Sequence, residues 1–320
     1  MSPLAAYAVR RAAWALGTIA LASLVAFTLF WAVPNVDPEY NLGGGFRGTD
    51  ETRAAAREAF GLDEPLPAQY VALMRGILGG SVQCFSACGE LRSEFFARLP
   101  VTISLALGAL LLAVALATAM ALVCVRRHGR RTDRAVLGLA AVLQSVPTLV
   151  LSVVLWTILC ERFEVFPFDG YTPLTENPAR WAWHLLLPWI AVALPFAGAY
   201  TPVLRASMLD VRSADWVRTA RAKGLSERAV VRRHMLRSSL TAPVSILGLD
   251  LSHAFGGFVL YVETVFRVPG VGALAEAGVQ GLDLPVVVAL TLWLAIVVVV
   301  VSAVTDVVVR ALDPRTTAGG

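Results

Sequence analysis

Apolar residues fall in six long runs separated by shorter, charged stretches: 12–33, 101–125, 135–160, 181–204, 238–262 and 284–309. A helix needs about 20 apolar residues to cross the hydrocarbon core of a bilayer. The pattern therefore predicts an all-α integral membrane protein with six transmembrane helices. The first run follows Arg10 and Arg11, as a signal peptide's apolar region would. It is too long for one, and no small-residue cleavage pattern follows Val33, so it is expected to be a retained helix. The fourth run carries Pro188, Pro195 and Pro202, seven residues apart and so near one helix face. Prolines are tolerated in a membrane helix where neighbours re-satisfy the freed carbonyls.

Two stretches between the runs carry more pattern. In 34–100, a glycine-rich tract (42–45) precedes a helix-like run over 50–60. Thr49 or Asp50 can cap that run, and Gly61 ends it. A proline turn and an amphipathic stretch over 69–78 follow; the segment is too small and apolar for an enzyme domain. The loop from Arg205 reads as a helix over 214–223, a break at Gly224, and a second helix opening on Ser226 and Glu227. Gly224 suits the left-handed residue that closes a helix. Trp216, Val217 and Ala220 share one side of the first helix. The residues alone allow two readings: a helix that docks into a groove on a soluble partner, or a basic surface helix lying on anionic lipid.

Composition agrees with the runs. The chain of 320 residues is 57% hydrophobic and 16% charged, against about 45–50% and 25% in soluble domains. A net charge of +4 could suggest nucleic acid, but the basic residues cluster between apolar runs and read as membrane topology, with no nucleic-acid partner. With the N-terminus inside, 18 Lys and Arg fall on the inner side and 9 on the outer. This asymmetry predicts both termini in the cytoplasm and 34–100 outside.

Little catalytic chemistry is present. There is no G-x-x-x-x-G-K-S/T loop, no H-E-x-x-H and no nucleophile elbow, and His128, His184, His234 and His253 are scattered. No cofactor or metal site is expected on this chain. Of the four cysteines, Cys124 and Cys160 read as apolar filler at span ends. Cys84 and Cys88, on the outer side, allow either a disulfide closing a short loop or two free thiols. Asp250 and His253 lie three apart within the fifth run. They allow an ion-coupling role or a structural pair. Gly256, with Gly257 beside it, continues a small-residue stripe suited to close helix packing or to lining a pathway.

The segment WVRTARAKGLSERAVVRRHMLRSSL (216–240) resembles the cytoplasmic coupling loop of binding-protein-dependent ABC transporter permeases. The family pattern is E-A-A, three residues, Gly, nine residues, I-x-L-P. Arg218, Thr219 and Ala220 stand at the E-A-A places, Gly224 at the Gly and Leu236 at the Leu. The departures are similar to the dipeptide, oligopeptide and nickel branch, where T-A-R-A-K-G-L is usual. Also similar to that branch are FGLDEPLPAQYVALMRGILGGS (60–81), RLPVTISLAL (98–107), VETVFRVPGVGAL (262–274), DLPVVVAL (283–290) and the tail from Asp306 to Arg315. VPNVDP (33–38), where P-G-D-P is usual, and the stretch around Cys84 and Cys88 depart from it.

The resemblance implies an ABC importer permease fold. It divides into an N-terminal module (1–100) and a permease core (101–315) whose coupling loop spans 205–237. Asp215, Arg218, Thr219, Ala220, Arg221, Lys223, Gly224, Leu225 and Leu236 are the expected ATPase-contacting residues. The implied partners are a second, homologous permease subunit, two ATP-binding subunits that hold ATP and Mg, and an extracytoplasmic solute-binding protein. The chain itself would be a non-catalytic subunit in a bacterial cytoplasmic membrane, with di- or oligopeptides as the implied cargo. Nickel or another small solute, and a proton-coupled secondary transporter using Asp250, are the alternatives.

Overall fold

The computed structural model is built from helices and describes residues 3–32, 49–51, 54, 57–58, 61, 63–82, 84, 90–167, 170–212, 215–224, 257, 259–281 and 283–312. In chain order the helices are α1 (Pro3–Ala32), α2 (Leu66–Gly79), α3 (Leu91–Arg126) and α4 (Arg131–Ser145). Next come α5 (Thr148–Leu155), which runs on as a π-helix (Trp156–Arg162), and α6 (Pro178–Arg212). The remainder are α7 (Asp215–Ala222), α8 (Val259–Val265), α9 (Val271–Gln280) and α10 (Leu284–Leu312).

Among the described residues, α3, α6 and α10 are the three helices long and apolar enough to cross a membrane. α4 and α5 make a fourth span if taken together, but they are bent by 90°. The run 135–160 is thus not the single straight helix expected. Pro147 sets the break: its ring crowds the preceding residue out of the helical region, and Val146 is extended, with φ −87° and ψ 119°. The apolar part of α1, Ala13–Leu29, is shorter than those three helices. Of the run 238–262, only 257 and 259–262 are among the described residues.

The chain forms two compact units. One comprises 1–102 and 269–299, the other 103–268 and 300–320. In the first, Phe27, Leu73, Leu284 and Val288 form one buried cluster, and Leu91, Val271, Leu274, Val286 and Leu290 another. Two buried polar side chains satisfy helix starts there. Thr102 Oγ1 accepts the Val271 N–H at 2.8 Å, and Asp283 Oδ1 accepts the Val286 N–H at 3.3 Å. Free N–H groups at a helix start need such acceptors when buried.

The second unit packs on small residues. Ala113, Ala117 and Ala121 recur every four residues along α3 and are at most 2% exposed, and Ala117 meets Ala197 and Tyr200 of α6. Where α6 meets α4, a Cβ on Gly198 would lie 2.5 Å from the Ala140 carbonyl oxygen, so only glycine permits that approach. The Trp189 indole occupies the space a side chain at Gly108 would fill, and its N–H donates to the Ser104 carbonyl at 3.2 Å.

Candidate functional site

The site grows from the ends of α3, α4 and α6. α3 closes in a turn at Arg127–Arg130, where Gly129 takes φ 76°. Asp133, in the first turn of α4, faces back into this turn and is 2% exposed. Its Oδ2 accepts the Gly129 N–H at 2.9 Å. Arg205, near the end of α6, grips the same carboxylate as a fork, Nε to Oδ1 and Nη2 to Oδ2, each at 2.8 Å. Arg205 Nη2 also lies 3.0 Å from His128 Nδ1. Parallel N–H···O bonds of this kind fix geometry as well as charge. The pair therefore ties the α3–α4 turn to the stem that leads into α7.

α7 rests on the same ends. Val217 is fully buried among Ala121 and Val125 of α3 and Leu204 and Met208 of α6. Asp215, Thr219 and Lys223 are exposed. The Thr219 hydroxyl donates to the Asp215 carbonyl at 3.0 Å, and the Lys223 N–H to the Thr219 carbonyl at 3.0 Å. Gly224 follows at φ 81°, with none of the described residues within 4 Å of where a Cβ would stand. The left-handed conformation expected of this glycine is present. The arrangement is a short helix with one side chain rooted in the membrane helices and other side chains open to a partner.

Of the remaining expected site residues, Arg218, Ala220 and Arg221 belong to α7. Leu225, Leu236, Asp250, His253, Gly256 and Cys88 lie outside the described residues. Gly257 is half-buried in a π-helical turn. Cys84 is disulfide-bonded and packs against the cluster around Leu91 and Val271. Cys124 and Cys160 are free, buried thiols.

Three buried carboxylates were not anticipated. Asp133 had one signal, being the only acid among the five arginines of 126–134. Glu263 of α8 is fully buried, and its signal was an acid inside the apolar tract VETVF. Its helix ends in a tight turn in which Arg267 takes φ 52° and sets its guanidinium 5.8 Å from the centre of the Trp156 ring. Asp283, the cap of α10, is the third.

Residues 101–318 match the family described as "Binding-protein-dependent transport system inner membrane component", and residues 4–106 match its N-terminal companion. A probable peptide ABC transporter permease protein, y4tP, of Sinorhizobium fredii (strain NBRC 101917 / NGR234) is 31% identical, over 97% of this chain and 98% of its own. The dipeptide transport system permease protein DppB of Lactococcus lactis subsp. cremoris (strain MG1363) is 31% identical, over 81% of this chain and 83% of its own. Among solved structures, an inward-facing MetNI methionine ABC transporter chain is similar in fold, with a TM-score of 0.55 and 18% identity. That alignment covers 68% of this chain and 95% of the solved one.

Proposed function

Because the chain belongs to the family of binding-protein-dependent transport system inner membrane components, we propose that it is the permease subunit of an ATP-driven importer of short peptides. The observation that carries this reading is the seating of α7. Val217 is rooted between α3 and α6 while Asp215, Thr219 and Lys223 are exposed, as a lever between a soluble motor and membrane helices must be. The peptide cargo rests on the relatives named for peptide and dipeptide transport.

In this reading two ATPase subunits, holding ATP and Mg, dock on α7 and the residues after it through Leu225 and Leu236. A second, homologous permease completes the pathway, and an extracytoplasmic binding protein delivers the peptide. The chain crosses a bacterial cytoplasmic membrane six times with both ends inside. Residues 1–100 act as an N-terminal module on the permease core. Cys84 pairs with Cys88, the one cysteine left once the free thiols Cys124 and Cys160 are set aside. Asp250, His253, Gly256 and Gly257 pack helices or line the pathway and carry no coupling ion.

Free energy must then come from ATP. The test is peptide uptake by proteoliposomes holding the whole transporter with its binding protein. Uptake should require internal ATP and survive collapse of the proton gradient. Uptake driven by a proton gradient without ATP, and lost in Asp250→Asn, would sink the proposal.

A further inference from the structure

In the unit formed by 1–102 and 269–299, an apolar cavity of about 230 Å³ opens between α1, α2, α3 and α10. Ile19, Ile77, Leu78, Phe95, Phe96 and Trp293 line it. Phe95 is held edge-on against Trp293, with ring centres 5.9 Å apart. Leu78 and Phe96 are 81% and 59% exposed, so the mouth opens on an apolar surface.

One cation stands at that mouth. The Arg92 side chain lies across Gly80, where an added Cβ would sit 2.6 Å from Arg92 Cδ and 2.9 Å from its Nη1. Gly80 closes α2 at φ 77°, and the negative end of a helix favours a cation beside it. A bare glycine and a helix end thus hold the guanidinium in place. Arg92 is exposed and has no ion pair or hydrogen bond among the described residues. Its neighbour Glu94 is engaged by Arg98 at 3.2 Å. Along α3, Arg92 is followed by the Phe95–Phe96 pair and the Glu94–Arg98 ion pair, and the apolar run begins at Val101. This is the order of groups found where a protein passes from headgroups into hydrocarbon.

We propose that this cavity binds an anionic phospholipid, with an acyl chain in the apolar cleft and the headgroup phosphate on Arg92. Lipid is the solvent of the apolar surface of a membrane-spanning chain. A hydrocarbon-lined cleft with Arg92 at its mouth, unpaired among the described residues, matches an amphiphile with an anion at one end. A peptide would bring backbone donors and acceptors that this apolar wall leaves unpaired, which disfavours it. Peptide transport is not needed for the argument, and uptake plays no part in its test.

The full-length chain, with the subunits that co-purify with it, is placed in nanodiscs of equal phosphatidylglycerol and phosphatidylethanolamine. Each lipid is supplied in turn with a photoreactive acyl chain. Label from phosphatidylglycerol should map to residues 76–82 and 91–96. Arg92→Gln, a surface change, should cut that label about fivefold, the share of roughly one basic residue near anionic lipid, and leave the phosphatidylethanolamine signal unchanged. Ala289→Trp, which fills the cleft, should remove label from both lipids. Absence of label at these residues in the unaltered chain would overturn the proposal. Equal labelling by the two lipids with no response to Arg92→Gln would overturn it too, as would loss of label on adding inorganic phosphate.

Discussion

Asp133 shows how much one side chain can carry. It is 2% exposed and accepts hydrogen bonds from Arg205 and the Gly129 amide, so both of its oxygens are engaged. Asp133→Asn keeps the shape but leaves the half-buried Arg205 guanidinium without its counter-charge. Breaking a buried pair in this way costs about 3–5 kcal/mol, and the lower end applies because Arg205 keeps 19% exposure. Thermal unfolding in detergent should show the loss, and the Arg205→Met double variant should recover part of it. A loss too small to measure would mean that the fork is not holding the turn. Composition marks 126–134 as basic with a single acid, but it does not reveal that the partner lies 72 residues away. Cys84 offers a simpler check. In protein isolated without reductant it should resist alkylation together with Cys88, and the mass should rise by two hydrogens on reduction. Ready alkylation of both thiols would reject the pairing.

The informative element is α7. Its close at Gly224 follows from a local rule, a glycine taking φ 81° where the helix ends, while Val217 is buried and Asp215, Thr219 and Lys223 exposed because of how α7 sits on α3 and α6. Gly224→Val meets no neighbour among the described residues but forces a β-branched residue into the left-handed region, at a cost of about 1–3 kcal/mol. On the proposed docking of α7 into an ATPase groove, Ala220→Trp adds bulk to a fitted contact, and overpacking of that kind costs about 1–3 kcal/mol. Both variants should insert normally in the membrane yet retain less ATPase subunit on co-purification, or hydrolyse ATP without matching uptake. Full attachment with full coupled transport in both would reduce α7 to a surface helix. The break between α4 and α5 was open to reading as well. Val146-Pro147 stands within the run 135–160, which apolar length alone presents as one span. A count of apolar residues cannot tell a straight span from two shorter helices bent by 90°.

For the whole molecule, the 18 to 9 distribution of basic residues predicts a cytoplasmic N-terminus. A cysteine introduced at Asp50 should react with an impermeant reagent added outside intact spheroplasts, and one introduced at Arg130 only after permeabilisation. The reverse pattern would invert the topology. The two compact units also differ in what builds them. The first is held by large aliphatic and aromatic clusters, while the second adds to its cluster of Val125, Leu204, Met208 and Val217 a set of alanine and glycine contacts that bring backbones close. In a bilayer, where apolar burial between helices gains little over lipid, small residues that permit such approach supply much of the packing.

The sequence by itself determined the class: a helical membrane permease of a binding-protein-dependent transporter, with its motifs in order along the chain. The membrane helices were legible because bilayer thickness sets apolar length, and the family because the motifs of 60–81, 98–107, 216–240, 262–274 and 283–290 resemble it in order. Tertiary structure alone decided which arginine grips Asp133, that Val217 roots α7 between α3 and α6, that α4 comes so near Gly198 of α6 that no side chain fits there, and that an open cleft lies beside Arg92. Each of these depends on the rotation and register of helices far apart in the chain. No local pattern encodes that register, because many packings satisfy the same hydrophobic period, and only the set of close contacts selects one.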